Sequence, residues 1–207
     1  MITLSVNLNK IALLRNSRDG GKPSVTDAAR EAITRGAKGI TVHPRPDQRH
    51  IRPEDVYALA QLLADDYPSV EFNIEGNPFA GPTQAGYPGF RHLVEAAKPH
   101  QVTLVPDSDD QLTSDHGWDL ATPAPALEVE IAAYRAMGCR VSLFMDPVME
   151  QMATAKAIGA DRIEFYTGPY AETYWAHGPN DDRTRDCFAQ FREAAEGALT
   201  AGLGINA

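Results

Sequence analysis

Four stretches of this sequence place groups fit for proton transfer at the end of an apolar run. His43 closes Gly39-Ile40-Thr41-Val42-His43, and Glu75 closes Phe72-Asn73-Ile74-Glu75. Asp146 comes just after the run that begins Val141-Ser142-Leu143-Phe144, and Glu164 lies within Ile163-Glu164-Phe165. An imidazole and carboxylates in partly dry surroundings suit stepwise proton transfer, because burial raises carboxylate pKa values toward neutrality and keeps an imidazole in its neutral, proton-accepting form. Each also has a plainer use: His43 precedes Pro44 and leads into a turn, and Glu75 is placed to cap the next segment. Glu164 is harder to explain that way, since a carboxylate inside an apolar run must find a partner or a polar lumen.

A second set of residues is cationic. Arg15 and Arg18 stand in Leu14-Arg15-Asn16-Ser17-Arg18, and Arg45, Arg49, His50 and Arg52 follow the second apolar run. The planar guanidinium fork binds phosphate bidentately. The chain carries a formal charge of −9, so a local concentration of arginine works against the overall field. That charge disfavours nucleic acid or an anionic membrane as a general partner. A small phosphorylated substrate fits both observations.

The elements that must position these groups follow a repeated pattern in which a helical stretch ends in Gly and a short β-rich run begins within a few residues. It occurs at Gly36 before Ile40-Thr41-Val42 and at Gly138 before Val141–Phe144. It recurs at Gly159 before Ile163–Tyr166 and at Gly202 before Leu203–Asn206. Glycine supplies the left-handed conformation that stops a helix. With Thr3–Val6, Val70–Ile74 and Val102–Val105 these make seven predicted strands, most of them continuously apolar as in a covered parallel sheet. Amphipathic stretches at Val25–Arg35, Pro53–Tyr67, Tyr87–Lys98, Leu127–Met137, Val148–Ile158 and Asp182–Ala201 alternate with them. Ser24 is the expected N-cap of the first, and Pro53 the expected first-turn residue of the second. A long polar loop is expected over Asn7–Pro23, and the loop Pro106–Pro125 is long enough to serve as a lid.

The alternation predicts an α/β fold, and a (β/α)8 barrel is favoured over an open doubly wound sheet. No Gly-rich dinucleotide fingerprint follows the first strand, and no Walker-type lysine is present. In a barrel the strand C-termini share one rim, which gathers Asn7, Asn9, His43, Arg45, Glu75, Asp146, Glu164 and Tyr166. One domain over 1–207 is expected, with 43% apolar and 8% aromatic residues. Cys139 and Cys187 have no metal-type spacing and read as free thiols in a reducing cytoplasm. No signal peptide and no membrane span are expected. His92, His100, His116 and His177 lack any motif and read as surface residues.

The run Ser5-Val6-Asn7-Leu8-Asn9-Lys10-Ile11-Ala12-Leu13-Leu14-Arg15-Asn16-Ser17-Arg18 resembles the opening motif of the pyridoxine 5′-phosphate synthase family. Gly39–Arg45 through Arg49-His50-Ile51 resembles that family's second-strand motif. Asn73-Ile74-Glu75, Leu104-Val105-Pro106, Leu112-Thr113, Val141–Phe144, Ile163-Glu164, Thr167–Tyr170 and Gly204–Ala207 continue the match in order. The resemblance implies a (β/α)8 barrel forming homo-oligomers, typically octamers. The implied reaction joins 1-deoxy-D-xylulose 5-phosphate to 3-amino-2-oxopropyl phosphate, giving pyridoxine 5′-phosphate, phosphate and water. No metal and no cofactor are implied. Position by position, His43 and Glu75 become general bases and Glu164 stabilises charge in the transition state. Asn7 and Arg18 hold the aminoketone phosphate, and Arg45, His50 and Thr113 hold the deoxyxylulose phosphate.

Two departures stand out. Asn9-Lys10 occupies positions where many members have Asp-His, both expected to touch the deoxyxylulose phosphate. The family also continues past the terminal Asn-Ala into Gly-His, whose histidine is its general acid, and then into an eighth strand. The chain is therefore expected to lack about 40 residues of a usual ~250-residue barrel at its C-terminus. Two other readings stay open on residues alone: a metal-dependent sugar isomerase or epimerase using Glu75, Asp146, Glu164 and a histidine, and a non-catalytic phosphate-binding homologue.

Overall fold

The computed structural model describes residues 2–18, 20–108, 111 and 113–207; Leu112, part of one resemblance motif, and parts of the loop after β4 lie outside them. The strands are β1 Ser5–Asn7, β2 Gly39–Val42, β3 Glu71–Gly76, β4 Gln101–Leu104, β5 Arg140–Met145, β6 Arg162–Phe165 and β7 Gly204–Asn206. Their order in the sheet is their order in the chain. The helices are α1 Asn9–Asn16, α2 Val25–Thr34, α3 Pro53–Asp66, α4 Phe90–Ala97, α5 Pro125–Ala136, α6 Met152–Ala157, α7 Gly168–His177 and α8 Asp182–Thr200. Among the described residues, strands and helices alternate as in a (β/α) barrel, the fold class the sequence predicts.

Two compact units divide the chain, one running to Thr103 and the other from Leu104 onward, apart from Ser108 and Met137–Cys139, which fall with the first. In the first unit β1, β2 and β3 pair in parallel, with Ser5 opposite Gly39 and Thr41 opposite Asn73. Only glycine fits at position 39, where a Cβ would come within 2.7 Å of the Ser5 hydroxyl. Every residue of β2 is buried, which is why that strand reads as an unbroken apolar run. Ser24 caps α2 as expected, accepting the Asp27 N–H at 3.1 Å. Leu59 of α3, Ile74 of β3 and Phe90 of α4 are fully buried.

Polar side chains also lie inside this unit. Asn73 donates to the Thr41 hydroxyl at 3.4 Å and accepts from the Thr103 hydroxyl at 3.1 Å and from Gln101 Nε2 at 3.3 Å. Burying such groups is tolerable only because they satisfy one another.

In the second unit β5, β6 and β7 are parallel, with Phe144 opposite Glu164 and Glu164 opposite Asn206. Tyr170 packs against Phe188 and Phe191 where α7 meets α8. The four junction glycines all take the conformation predicted for them, with φ between +76° at Gly202 and +105° at Gly36.

The expectation of a polar loop over Asn7–Pro23 is corrected, because Asn9–Asn16 forms α1. Its buried face is short: Leu8 and Ala12, four residues apart, are sealed while Leu13 and Leu14 stay exposed. Helix α7 is likewise absent from the predicted elements, since none of its residues is buried and its sequence carries no apolar stripe. The single helix expected over Val148–Ile158 is a 3₁₀ turn, Met149–Gln151, followed by α6.

Candidate active site

Parallel register builds the centre of the site. Val42 lies opposite Ile74, and one further step along both strands brings His43 beside Glu75. Their Nδ1 and Oε2 atoms are 3.8 Å apart, close neighbours without a direct hydrogen bond. Asn7 at the end of β1 donates through Nδ2 to the same carboxylate oxygen at 3.4 Å. Asn9 at the start of α1 accepts the His43 N–H through Oδ1 at 2.9 Å. The Asn9 N–H in turn donates to Asn7 Oδ1 at 2.9 Å. Three strand ends and one helix start are thereby tied to one imidazole–carboxylate pair.

The electrostatics favour a neutral histidine. His43 is 6% exposed, and burial, reinforced by the nearby charges of Arg45, His50 and Arg49, holds its pKa well below the usual value. A neutral imidazole beside a carboxylate, both mostly screened from water, is equipped to accept a proton at neutral pH.

His50 lies beside it, with ring centroids 6.2 Å apart in an edge-on arrangement. Its pKa is lowered to about 4, first by burial and then by the charges of Arg45 and Arg49, with Lys10 adding to the same effect. Its Nδ1 accepts the Ile51 N–H at 2.9 Å, so the proton of the neutral ring sits on Nε2. The ring thus presents an N–H donor alongside the buried Arg45. A donor and a fixed cation make a fitting place for a phosphate oxygen.

Among the sequence-predicted residues, the structure joins Asn7, Asn9, His43 and Glu75 by direct contacts, and Arg45, His50 and Lys10 by proximity of charge. Arg18 is exposed in the turn after α1, where its N–H donates to the Arg15 carbonyl at 3.4 Å. Glu164 and Thr113 belong to the second unit; Glu164 is half-buried in β6 and Thr113 is exposed. Next to Glu164, Asn206 accepts from Arg162 at 2.8 Å. Among the described residues, no group of three His, Cys, Asp or Glu side chains is arranged to hold a metal ion. Asp146 instead accepts the Gly117 N–H at 3.2 Å.

Known proteins place this geometry in a family. The sequence pattern described as pyridoxal phosphate biosynthesis protein PdxJ matches residues 4–207. The chain belongs to the PdxJ family. It is 59% identical over 204 residues to the pyridoxine 5′-phosphate synthase of Xanthomonas campestris pv. campestris strain B100, covering 99% of this chain and 77% of that one. It is 57% identical over 206 residues to that of Xanthomonas oryzae pv. oryzae strain MAFF 311018, covering 100% and 78%. The corresponding synthase of Xylella fastidiosa strain 9a5c is 54% identical over 204 residues, covering 99% and 75%. A mandelate oxidase mutant is similar in fold alone, with a TM-score of 0.54 at 17% identity over 87% of this chain and 56% of that chain.

Within the family framework one expectation about the cationic cluster is revised. Arg15 is expected among the phosphate-binding arginines, but it lies on α1 and its guanidinium grips Asp55 through its two terminal nitrogens, Nη1 and Nη2. Asp55 and Asn16 are not among the residues the sequence singles out. The available signal is Asp55 at the third position of a helix opening on Arg52-Pro53, where a carboxylate serves the helix start.

Proposed function

We propose that this chain catalyses the ring-closing condensation of 3-amino-2-oxopropyl phosphate with 1-deoxy-D-xylulose 5-phosphate, forming pyridoxine 5′-phosphate, phosphate and water in vitamin B6 biosynthesis. The observation that carries this reading is the buried neutral His43 beside Glu75, flanked by Arg45 and the Nε2–H of His50, in a chain of the PdxJ family. Imine formation, phosphate elimination and ring closure are successive proton transfers, which such a pair serves without electron transfer.

In this reading His43 and Glu75 act as general bases, with Asn7 and Asn9 holding them in place. Arg45, His50 and Thr113, assisted by Lys10 and Asn9, receive the deoxyxylulose phosphate. Asn7 and Arg18 receive the aminoketone phosphate, and Glu164 stabilises developing charge. The reaction needs no metal and no cofactor. The enzyme works in the cytoplasm as a homo-oligomer, an octamer by family resemblance; no described helix is long and apolar enough to cross a membrane.

Incubation with both ketone phosphates, monitored for pyridoxine 5′-phosphate and released phosphate, tests the reading. Product formation dependent on both substrates is expected. Absence of product from folded protein overturns it, and stoichiometric divalent metal with isomerase activity replaces it.

A further inference from the structure

The loop Arg45–Arg52 presents the Arg45 and His50 side chains, and its backbone is held from behind. Asn16 Nδ2 donates to the Arg49 and His50 carbonyls at 3.0 and 2.8 Å. Arg15 Nη2 donates to the His50 carbonyl at 3.2 Å. Asn16 Oδ1 accepts from Arg15 Nε and Nη2 at 3.1 and 3.0 Å. Asp55 takes Arg15 in a two-point grip and also accepts the Arg52 N–H at 2.8 Å, where α3 begins.

We infer that Arg15, Asn16 and Asp55 form a positioning clamp that fixes the backbone of residues 49–52 so that His50 and Arg45 meet the phosphate of the deoxyxylulose substrate. This inference rests on the function proposed above. The capping contact that Asp55 makes at the start of α3 requires only an acceptor for the Arg52 N–H, which a neutral side chain such as Gln supplies. The Arg15–Asp55 pair, with side chains 13% and 9% exposed, carries a desolvation cost that capping alone does not demand. What the pair adds is a rigid hold on the carbonyl of the residue that bears the phosphate-facing ring. Arg15 commits Nε, Nη1 and Nη2 to this network, so it positions the site and does not itself bind phosphate. Orientation of this kind has large leverage, because a displacement of about 1 Å can cost a hundredfold in rate.

The test compares wild type with Asn16→Asp, which keeps the acceptor for Arg15 but removes both donors to the loop carbonyls, and with Arg15→Lys, which keeps the charge but loses the fork. Binding of 1-deoxy-D-xylulose 5-phosphate is measured by calorimetry, and KM for each ketone phosphate and kcat by product formation, with thermal melts as the folding control. In both variants, deoxyxylulose phosphate affinity is expected to fall tenfold or more and its KM to rise in step, while the aminoketone KM stays within twofold. If one variant does not fold, the other carries the test. Unchanged affinity in a folded variant overturns the clamp, as does a parallel rise of both KM values. A wild type that binds neither ketone phosphate removes the functional reading and the clamp together, whereas a wild type that binds while the variants bind equally removes the clamp alone.

Discussion

After β2 the chain turns through Pro44–Arg52 with its carbonyls gripped by charged and amide side chains of α1. In the described part of the loop after β4, no ion pair grips the backbone around residues 117–120; single carboxylate and amide acceptors and close backbone packing hold it, the Asp146 carboxylate accepting the Gly117 N–H. The Trp118 N–H donates to the Phe144 carbonyl at 2.8 Å, and the Leu120 N–H donates to Gln151 Oε1 at 2.8 Å. The Trp118 indole N–H reaches the Leu104 carbonyl at 2.9 Å. At the tightest point Gly117 lies so close to β5 that a Cβ would sit 2.3 Å from the Asp146 nitrogen. The first loop is ordered chiefly by a buried ion pair and the second chiefly by close backbone packing. Removing a charge without changing volume should damage only the first, and adding a methyl should damage only the second.

The largest effect is expected beside the first loop. Glu75→Gln keeps the side-chain shape but removes the base, and kcat for pyridoxine 5′-phosphate formation should fall about 10²–10⁴-fold. Binding of the deoxyxylulose phosphate should persist. Wild-type turnover in this variant would remove Glu75 from the chemistry. Next in size is Asp55→Ala, which leaves the Arg15 guanidinium buried without its counter-charge. A loss of about 3–5 kcal/mol in unfolding free energy is expected from denaturant titration. A loss below about 1 kcal/mol would show the pair to be as weak as an exposed one.

In the second loop, Gly117→Ala should cost about 1–3 kcal/mol, because the new methyl meets backbone of β5 that cannot yield as a flexible side chain does. Asp146→Asn, by contrast, keeps an acceptor for the Gly117 N–H at equal volume and should shift the melting temperature little. Reversal of that order would mean that charge governs both loops.

The second loop's environment is harder to read from sequence than the first's, and the reasons are physical. His43 and Glu75 are legible because each ends an apolar run and parallel register brings neighbouring strand ends together. The junction glycines are legible because helix termination demands a positive φ that other residues rarely adopt. Arg15 is misplaced by a reading of charge alone, because the partner that captures it, Asp55, lies forty positions away. Helix α1 escapes because its buried stripe is one turn long and Leu13 and Leu14 point outward. Gly117 gives no local sign, since its need for a bare Cα comes from β5, far along the chain. Contacts of high sequence separation are what a single sequence encodes least directly.

The smallest effect concerns pH and reads the buried, cation-flanked setting of His50 in the first loop. The His50 ring titrates near pH 4 when folded and near 6.5 in an unfolded chain. Between those values the unfolded state binds more protons than the folded one, so unfolding free energy falls as pH drops from 6.5 and levels off below 4. His50→Asn retains an acceptor for the Ile51 N–H but cannot titrate. Its stability should therefore decline less steeply across that window, by less than one proton's worth of slope, while the two proteins run parallel above pH 7. His43, also held neutral by burial and the same cations, continues to supply acid sensitivity in the variant, so the slope should shrink and not vanish. An unchanged slope would mean that neither burial nor the charges of Arg45, Arg49 and Lys10 depress the imidazole, and the first loop would lose its electrostatic signature.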